Sequence, residues 1–139
     1  MNERLLILTA GYGEGHNAAA RALVAAADAA RGAGTARLVD LYALAAPRLN
    51  ALVRRAYLDL IDRAPHVWSA VYRWLDRSAF APGLLRARPR ERRLLADLIA
   101  RECPSAICCK YPAYAFMLEV LARRGQCDVP FFNIVTDSI

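Results

Sequence analysis

No apolar run in this sequence approaches the roughly 20 residues needed to cross a bilayer, because Arg or Asp interrupts every long stretch. A membrane-spanning helix is therefore excluded. The start, Met1-Asn2-Glu3-Arg4, leads into only a few apolar residues before a glycine turn, too short for the hydrophobic part of a secretory signal. A cytoplasmic location is the expectation. Cysteine is sparse: Cys103, Cys108, Cys109 and Cys127 show neither CxxC spacing nor a nearby histidine pair, which speaks against a zinc site or a redox dithiol. Buried free thiols are expected instead, and Cys108 and Cys109 sit in an apolar run where cysteine acts as a small hydrophobe. There is no GxxxxGK[ST] and so no P-loop, no internal repeat and no low-complexity segment. No metal and no cofactor are expected.

What is present suits a single domain. The chain has 139 residues, 57% of them apolar, enough for one compact unit with a real core. Its formal charge of +6 is unevenly placed. Between Pro47 and Arg93 eleven arginines stand against Asp59, Asp62, Asp76 and Glu91, a net of +7, while the rest of the chain sums to −1. That segment should face something anionic, such as a membrane surface, a nucleic acid or a phosphorylated partner.

The chain is organised around residues 9–20, TAGYGEGHNAAA, a glycine-rich turn between an apolar run and an alanine-rich helix pattern. Gly11, Gly13 and Gly15 let the backbone approach a ligand without Cβ atoms in the way. The following helix would aim its free N–H groups and positive dipole end into the same space, which suits a phosphate or a developing oxyanion. His16 stands at that helix start, where a neutral imidazole can accept a proton. The plain alternative is a tight strand-to-helix turn with His16 as a cap.

Arg4 to Ala10 reads as a buried parallel strand, His16 to about Arg31 as a helix ended by Gly32 and Gly34, and Ala36 to Leu41 as a second strand. Together they make a βαβ unit and imply a parallel sheet. From Pro47 the period becomes helical: Leu49, Leu52, Val53, Ala56, Tyr57, Leu60, Ile61 and Ala64 share one face, with Arg48, Arg54, Arg55, Asp59, Asp62 and Arg63 on the other. Pro65 interrupts this helix, Val67, Trp68, Val71, Tyr72 and Leu75 begin a second stripe, and residues 80–89 read as a loop. A third helix spans Arg90 to Glu102. The α/β rhythm then resumes with a strand at Ser105 to Lys110, a helix at Ala113 to Arg124 whose core face is Phe116, Val120 and Leu121, and a strand at Val129 to Thr136.

In an open parallel sheet ligands bind at the carboxyl ends of the strands. Those ends would bring together the glycine loop with His16, then Asp40, Lys110 with Tyr111, and Thr136 with Asp137. Asp40 reads better as a turn cap and Lys110 as a solvated side chain, whereas His16 and Asp137 read as functional. A dinucleotide site is an alternative, since GxGxxG plus an acid at the end of the second strand is its signature. Here, however, His16 occupies the place of the third glycine, which argues against helix packing over a pyrophosphate.

The run from Leu6 to Ala20 resembles the opening of the monogalactosyldiacylglycerol synthase and processive diacylglycerol glucosyltransferase family, where a glycine-rich loop ending in Gly-His precedes a small-residue helix. Tyr57 to Arg77 is similar to its tyrosine-rich helical insertion, Lys110-Tyr111-Pro112 to its strand followed by proline, and residues 133–137, NIVTD, to its strand ending in Thr-Asp. The resemblance implies the N-terminal half of a GT-B fold, a Rossmann-like parallel sheet with helices on both faces and an α-helical insertion at about 47–93. Residues 1–139 would form the acceptor and membrane-binding domain of a glycosyltransferase whose C-terminal nucleotide-sugar domain is not in the sequence, leaving the fragment inactive alone. The intact enzyme would transfer a hexose from a UDP-sugar donor to a diacylglycerol-type lipid acceptor with inversion and without a metal. His16 and Asp137 match the family's Gly-His and Thr-Asp positions and are the catalytic candidates, with Gly11, Gly13, Glu14, Gly15 and Asn17 as the loop that binds acceptor or phosphate. Tyr12 and Glu14 depart from the small residues found there in many relatives, which bears on the ligand.

A lipid acceptor gives the basic insertion a purpose: Arg54, Arg55, Trp68, Tyr72, Trp74 and Arg77 are expected to meet an anionic membrane from its cytoplasmic side. The competing expectation is that Leu52, Tyr57, Leu60 and Ile61 pack on the sheet or a neighbouring helix and leave the arginines solvated. A non-catalytic lipid-docking module is a further alternative. A nucleic-acid partner is not expected, since no RNA- or DNA-binding motif is present.

Overall fold

The computed structural model describes residues 3–10, 14–77 and 89–134. Four strands, β1 (Leu5–Thr9), β2 (Ala36–Asp40), β3 (Ala106–Cys109) and β4 (Phe131–Asn133), pair in parallel in the order β2-β1-β3-β4. The helices are α1 (Glu14–Arg31), α2 (Leu41–Ala45), α3 (Pro47–Arg63), α4 (Pro65–Arg77), α5 (Pro89–Glu102) and α6 (Pro112–Arg123). This is the expected Rossmann-like α/β fold, with helices on both faces of the sheet.

The apolar strand sequences dictate a sheet covered on both sides. On one face Ile7 and Cys108 pack against Ala20 of α1, with Leu23 and Val24 partly buried beside them. Alanine at the contact lets the helix lie close. On the other face Leu6, Leu8 and Ile107 meet Leu41 and Tyr42 of α2, Leu95, Leu98 and Ile99 of α5, and Met117, Leu118 and Leu121 of α6. Each such aliphatic side chain, fully buried, contributes about 1.5–3 kcal/mol, so this larger cluster dominates the core.

Prolines set the helix boundaries. Ala46 (φ −151°, ψ 74°), Ala64 (φ −145°, ψ 64°) and Tyr111 (φ −132°, ψ 126°) stand immediately before Pro47, Pro65 and Pro112 and leave the helical region, as the crowding of a residue preceding proline requires. The break between α3 and α4 is therefore the one that Pro65 announces. At the end of α1, Gly32 takes φ 104°, where a side chain would be strained. Asp28 Oδ1 then accepts from the backbone N–H groups of Thr35 (3.0 Å) and Ala36 (3.3 Å) and ties the turn to β2.

At the amino end of the sheet, buried Glu102 closes α5 and faces Arg37 (2.6 Å), Arg101 (3.5 Å) and Arg4 (3.9 Å). Cations from three elements offset the cost of burying one carboxylate, and the cluster holds α5 against the starts of β1 and β2.

Five expectations need correcting. The first helix begins at Glu14, two residues before His16, so His16 lies within its first turn and is not its cap. Asp40 is followed by α2, a helix too short to show a period. The helix after β3 buries Ala113, Tyr114, Met117, Leu118 and Leu121, whereas Phe116 and Val120 are only half-buried. Its sequence is apolar almost all round, so periodicity could not fix the inward direction. Cys103 is exposed rather than buried, while Cys108, Cys109 and Cys127 are buried free thiols as expected. The last described strand covers Phe131–Asn133, with Ile134 N still donating to Cys109 O at 3.0 Å. The 80–89 loop expectation falls almost wholly outside the described residues.

Candidate functional site

The chain leaves β1 for α1 on one face of the sheet and leaves β3 for α6 on the other. The carboxyl ends of these adjacent strands are thus the point where the connections diverge, which is where open α/β sheets bind ligands. β1 delivers Thr9 and Ala10 to this edge, and β3 delivers Lys110 and Tyr111.

A buried tyrosine builds the edge. Tyr114 of α6 donates its hydroxyl hydrogen to the carbonyl of Thr9 at 2.7 Å and accepts from the backbone N–H of Leu41 at 3.1 Å. One side chain therefore fixes the last residue of β1, just before the glycine-rich segment of the sequence, to the first residue of α2. Tyr42 and Tyr111 surround it, with ring centroids 5.3 and 6.4 Å from its own. Burial, with the nearby Asp40 carboxylate adding to it, pushes the Tyr114 phenol far above its ordinary range. It stays a neutral donor. Nothing in the sequence separated this tyrosine from a core aromatic, although a hydroxyl on a buried helix face always raises the question of its partner.

Asp40 does what the plain reading gave it: its Oδ1 accepts from Ala43 N at 3.0 Å and caps α2. Lys110 does not. Expected in solvent, it is 3% exposed, and its Nζ lies 3.5 Å from the carbonyl of Ile134. Its position at the end of a buried strand was the available signal. Burial also raises the neighbouring Cys108 thiol against the opposing pull of Lys110, and pushes Cys109 up to about 12.

These protonated groups give a pH dependence. The folded values of Cys109 and Tyr114 lie above those of the unfolded chain, so their contribution is complete below about pH 8.5 and is lost as pH rises toward 12. Melting temperature is expected to fall continuously from pH 8.5 to 11; a flat profile over that range would contradict the burial of these groups.

Of the candidate site residues, His16 and Gly15 lie in the first turn of α1, beside Glu14 and Asn17, and Asn17 is half-buried. Gly11, Gly13, Thr136 and Asp137 lie outside the described residues, as do the side chains of Glu14, His16, Tyr72 and Arg77. The structure thus places the start of α1, Thr9, Lys110 and Tyr111 at one sheet edge.

Away from the sheet, α3 buries none of its residues. Leu49, Leu52, Val53 and Leu58 of α3 and Val67 and Trp74 of α4 are exposed, Leu52 by 65% and Trp74 by 62%. Tyr57 and Trp68 pack edge to face at 4.8 Å in the α3–α4 contact, and Leu60 and Ile61 are half-buried with them. The stripe therefore packs in its second half and stays open in its first. Between α2 and α3 runs an open groove of about 470 Å³, with Ala43 on one side and Arg54, Arg55, Leu58 and Asp59 on the other. Among the described residues no helix is long and apolar enough to cross a membrane, and no group of His, Cys, Asp and Glu could hold a metal ion.

A parallel sheet whose connections diverge at the carboxyl ends of β1 and β3, with an exposed apolar and basic helical segment between β2 and β3, defines a Rossmann-like α/β fold. The model of the monogalactosyldiacylglycerol (MGDG) synthase family matches residues 16–138. The chain belongs to this family, one of glycolipid-forming glycosyltransferases. No curated protein and no solved structure matches it.

Proposed function

We propose that the chain is the acceptor-binding half of a glycosyltransferase that moves a hexose from a UDP-sugar to the hydroxyl of a diacylglycerol-type lipid, with inversion. The nucleotide-sugar half would be a second domain, and the 139-residue unit would be inactive without it. The observation that carries this reading is the start of α1 at the carboxyl edge of the sheet, directly after the glycine-rich segment of the sequence. A helix start there presents free N–H groups and a positive end to a polar ligand group. In this proposal His16 removes the acceptor proton as the oxygen attacks the anomeric carbon, and Asp137 orients the imidazole or takes the proton itself. Gly11, Gly13, Glu14, Gly15 and Asn17 surround the acceptor headgroup.

The lipid comes from a bilayer, and α3 and α4 are the proposed contact. Exposed Leu49, Leu52 and Val53, with Trp74 and the guanidinium groups of Arg54 and Arg55, form a surface that is apolar and cationic at once. Such a surface partitions to the interface of an anionic membrane, here the inner face of the cell membrane. Tyr72 and Arg77 extend it in the proposal, while Trp68 supports α4 from the helix contact.

Co-sedimentation with vesicles tests the surface. Binding is expected to rise with phosphatidylglycerol content and to weaken with salt, and the Arg54→Gln, Arg55→Gln double variant should lower the partition coefficient about 30-fold, at about 1 kcal/mol per basic residue. Binding indifferent to anionic lipid and to salt would remove the membrane contact. Transfer of labelled hexose to diacylglycerol by the full-length gene product tests the reaction.

A further inference from the structure

The parallel ladder between β1 and β2 stops one bond early. Leu5 N donates to Thr35 O across that pair, whereas Ser105 N and Lys110 N donate to Arg4 O and Leu8 O on the β3 side. Leu5, Ile7 and Thr9 therefore turn their backbone groups toward β2. Thr9 stands opposite Asp40, so the next bond of the ladder would run from Leu41 N to Thr9 O. The Tyr114 hydroxyl occupies that place, accepting from Leu41 N at 3.1 Å and donating to Thr9 O at 2.7 Å. The two strand ends are spread by an inserted oxygen and joined through it.

Two side chains thus end the ladder together. Asp40 caps α2 through Ala43 N at 3.0 Å, turning the chain from strand to helix with no residue between. Tyr114 takes up the backbone groups that this change of direction releases. Its ring is buried and packed against Tyr42 and Tyr111, which fixes where the hydroxyl points. The Thr9 carbonyl, the last of β1, is aimed by this one group, and only residues 10–13 separate Thr9 from Glu14, where α1 begins.

We propose that Tyr114 is a positioning residue for sugar transfer. It acts through the Thr9 carbonyl, fixing the exit of β1 and with it the place of the first turn of α1, which carries His16. The inference rests on the reading above, that this first turn belongs to the acceptor site. Misplacing a reacting group by about 1 Å costs up to roughly 10²-fold in rate, even when the change is far from the chemistry.

Steady-state kinetics of the full-length gene product with labelled UDP-hexose and dispersed diacylglycerol test this. Tyr114→Phe should lower kcat/KM for the lipid about 10–100-fold, with a several-fold rise in lipid KM and an unchanged KM for the sugar nucleotide. Leu121→Ala is the control: it truncates a buried side chain of the same helix, about 10 Å farther along, and so lowers stability away from Thr9 and Leu41. Both variants are assayed at a temperature where near-ultraviolet circular dichroism matches wild type, and Leu121→Ala should keep near-wild-type kcat and KM values. In the 139-residue chain, the amide signals of Ala18 and Ala19 in α1 should move in Tyr114→Phe and stay in place in Leu121→Ala. Equal kinetic losses in the two variants, an unchanged lipid KM and kcat in folded Tyr114→Phe, or unmoved amides in α1 would overturn the positioning role and leave the proposed reaction standing. A wild type that transfers no hexose would instead remove the reaction, and this role with it.

Discussion

In the full-length gene product, His16→Ala is expected to lower the rate of sugar transfer by roughly 10²–10⁴-fold, the range for loss of a positioned general base. The expectation rests on where the backbone puts this residue: the first turn of α1, which follows the pinned end of β1 at the carboxyl edge of the sheet. Asp137→Asn separates the two roles open to the carboxylate. If it orients the imidazole, the double variant should be no slower than His16→Ala, because residues acting as a unit are not additive. If it is itself the base, Asp137→Asn alone carries the loss. Vesicle binding, which the proposal assigns to α3 and α4, should be unchanged throughout. A His16→Ala enzyme within a few-fold of wild type would remove this residue from the chemistry.

The backbone architecture was legible because burial on both faces leaves a strong mark. Runs such as LLILT and AICC, uninterrupted by charge, could only be central strands, and prolines at 47, 65 and 112 announced helix starts through the conformation they impose on the residue before them. What the sequence hid are the polar side chains at the edge. Lys110 and Tyr114 are amphipathic types whose burial is decided by neighbours distant in the chain, Ile134 for one and Thr9 for the other. A single sequence without its fold shows neither partner. The same limit explains the amphipathic stripe of α3: period identified its apolar face correctly, but whether that face is covered depends on what packs there, and Leu49 and Leu52 are left open. Exposure of that kind is one of the few places where a conflict between local pattern and packing points toward function.

Tyr114→Phe is expected to destabilise the fold by about 2–4 kcal/mol, far more than the loss of one oxygen atom suggests. The ring is buried with or without its hydroxyl, so apolar burial is nearly unchanged and the effect comes from two backbone groups. The Thr9 carbonyl, now 2.7 Å from the hydroxyl, and the Leu41 N–H, 3.1 Å from it, would both be stranded in an apolar surrounding, and each unsatisfied buried group costs about 1–3 kcal/mol. Neither lies at the surface, since Thr9, Leu41 and Tyr114 are all buried. In a chain of this size the melting temperature should fall by roughly 5–15 °C, at a few degrees per kcal/mol. The consequence extends beyond stability. Tyr114 joins the last residue of β1 to the first of α2, so its loss frees that strand end. Amide hydrogen exchange should therefore accelerate locally at Leu41 and Tyr42, ahead of the core of β3. A variant that melts within a degree or two of wild type, with unchanged exchange at Leu41, would show that the hydroxyl does not bridge these two elements in solution.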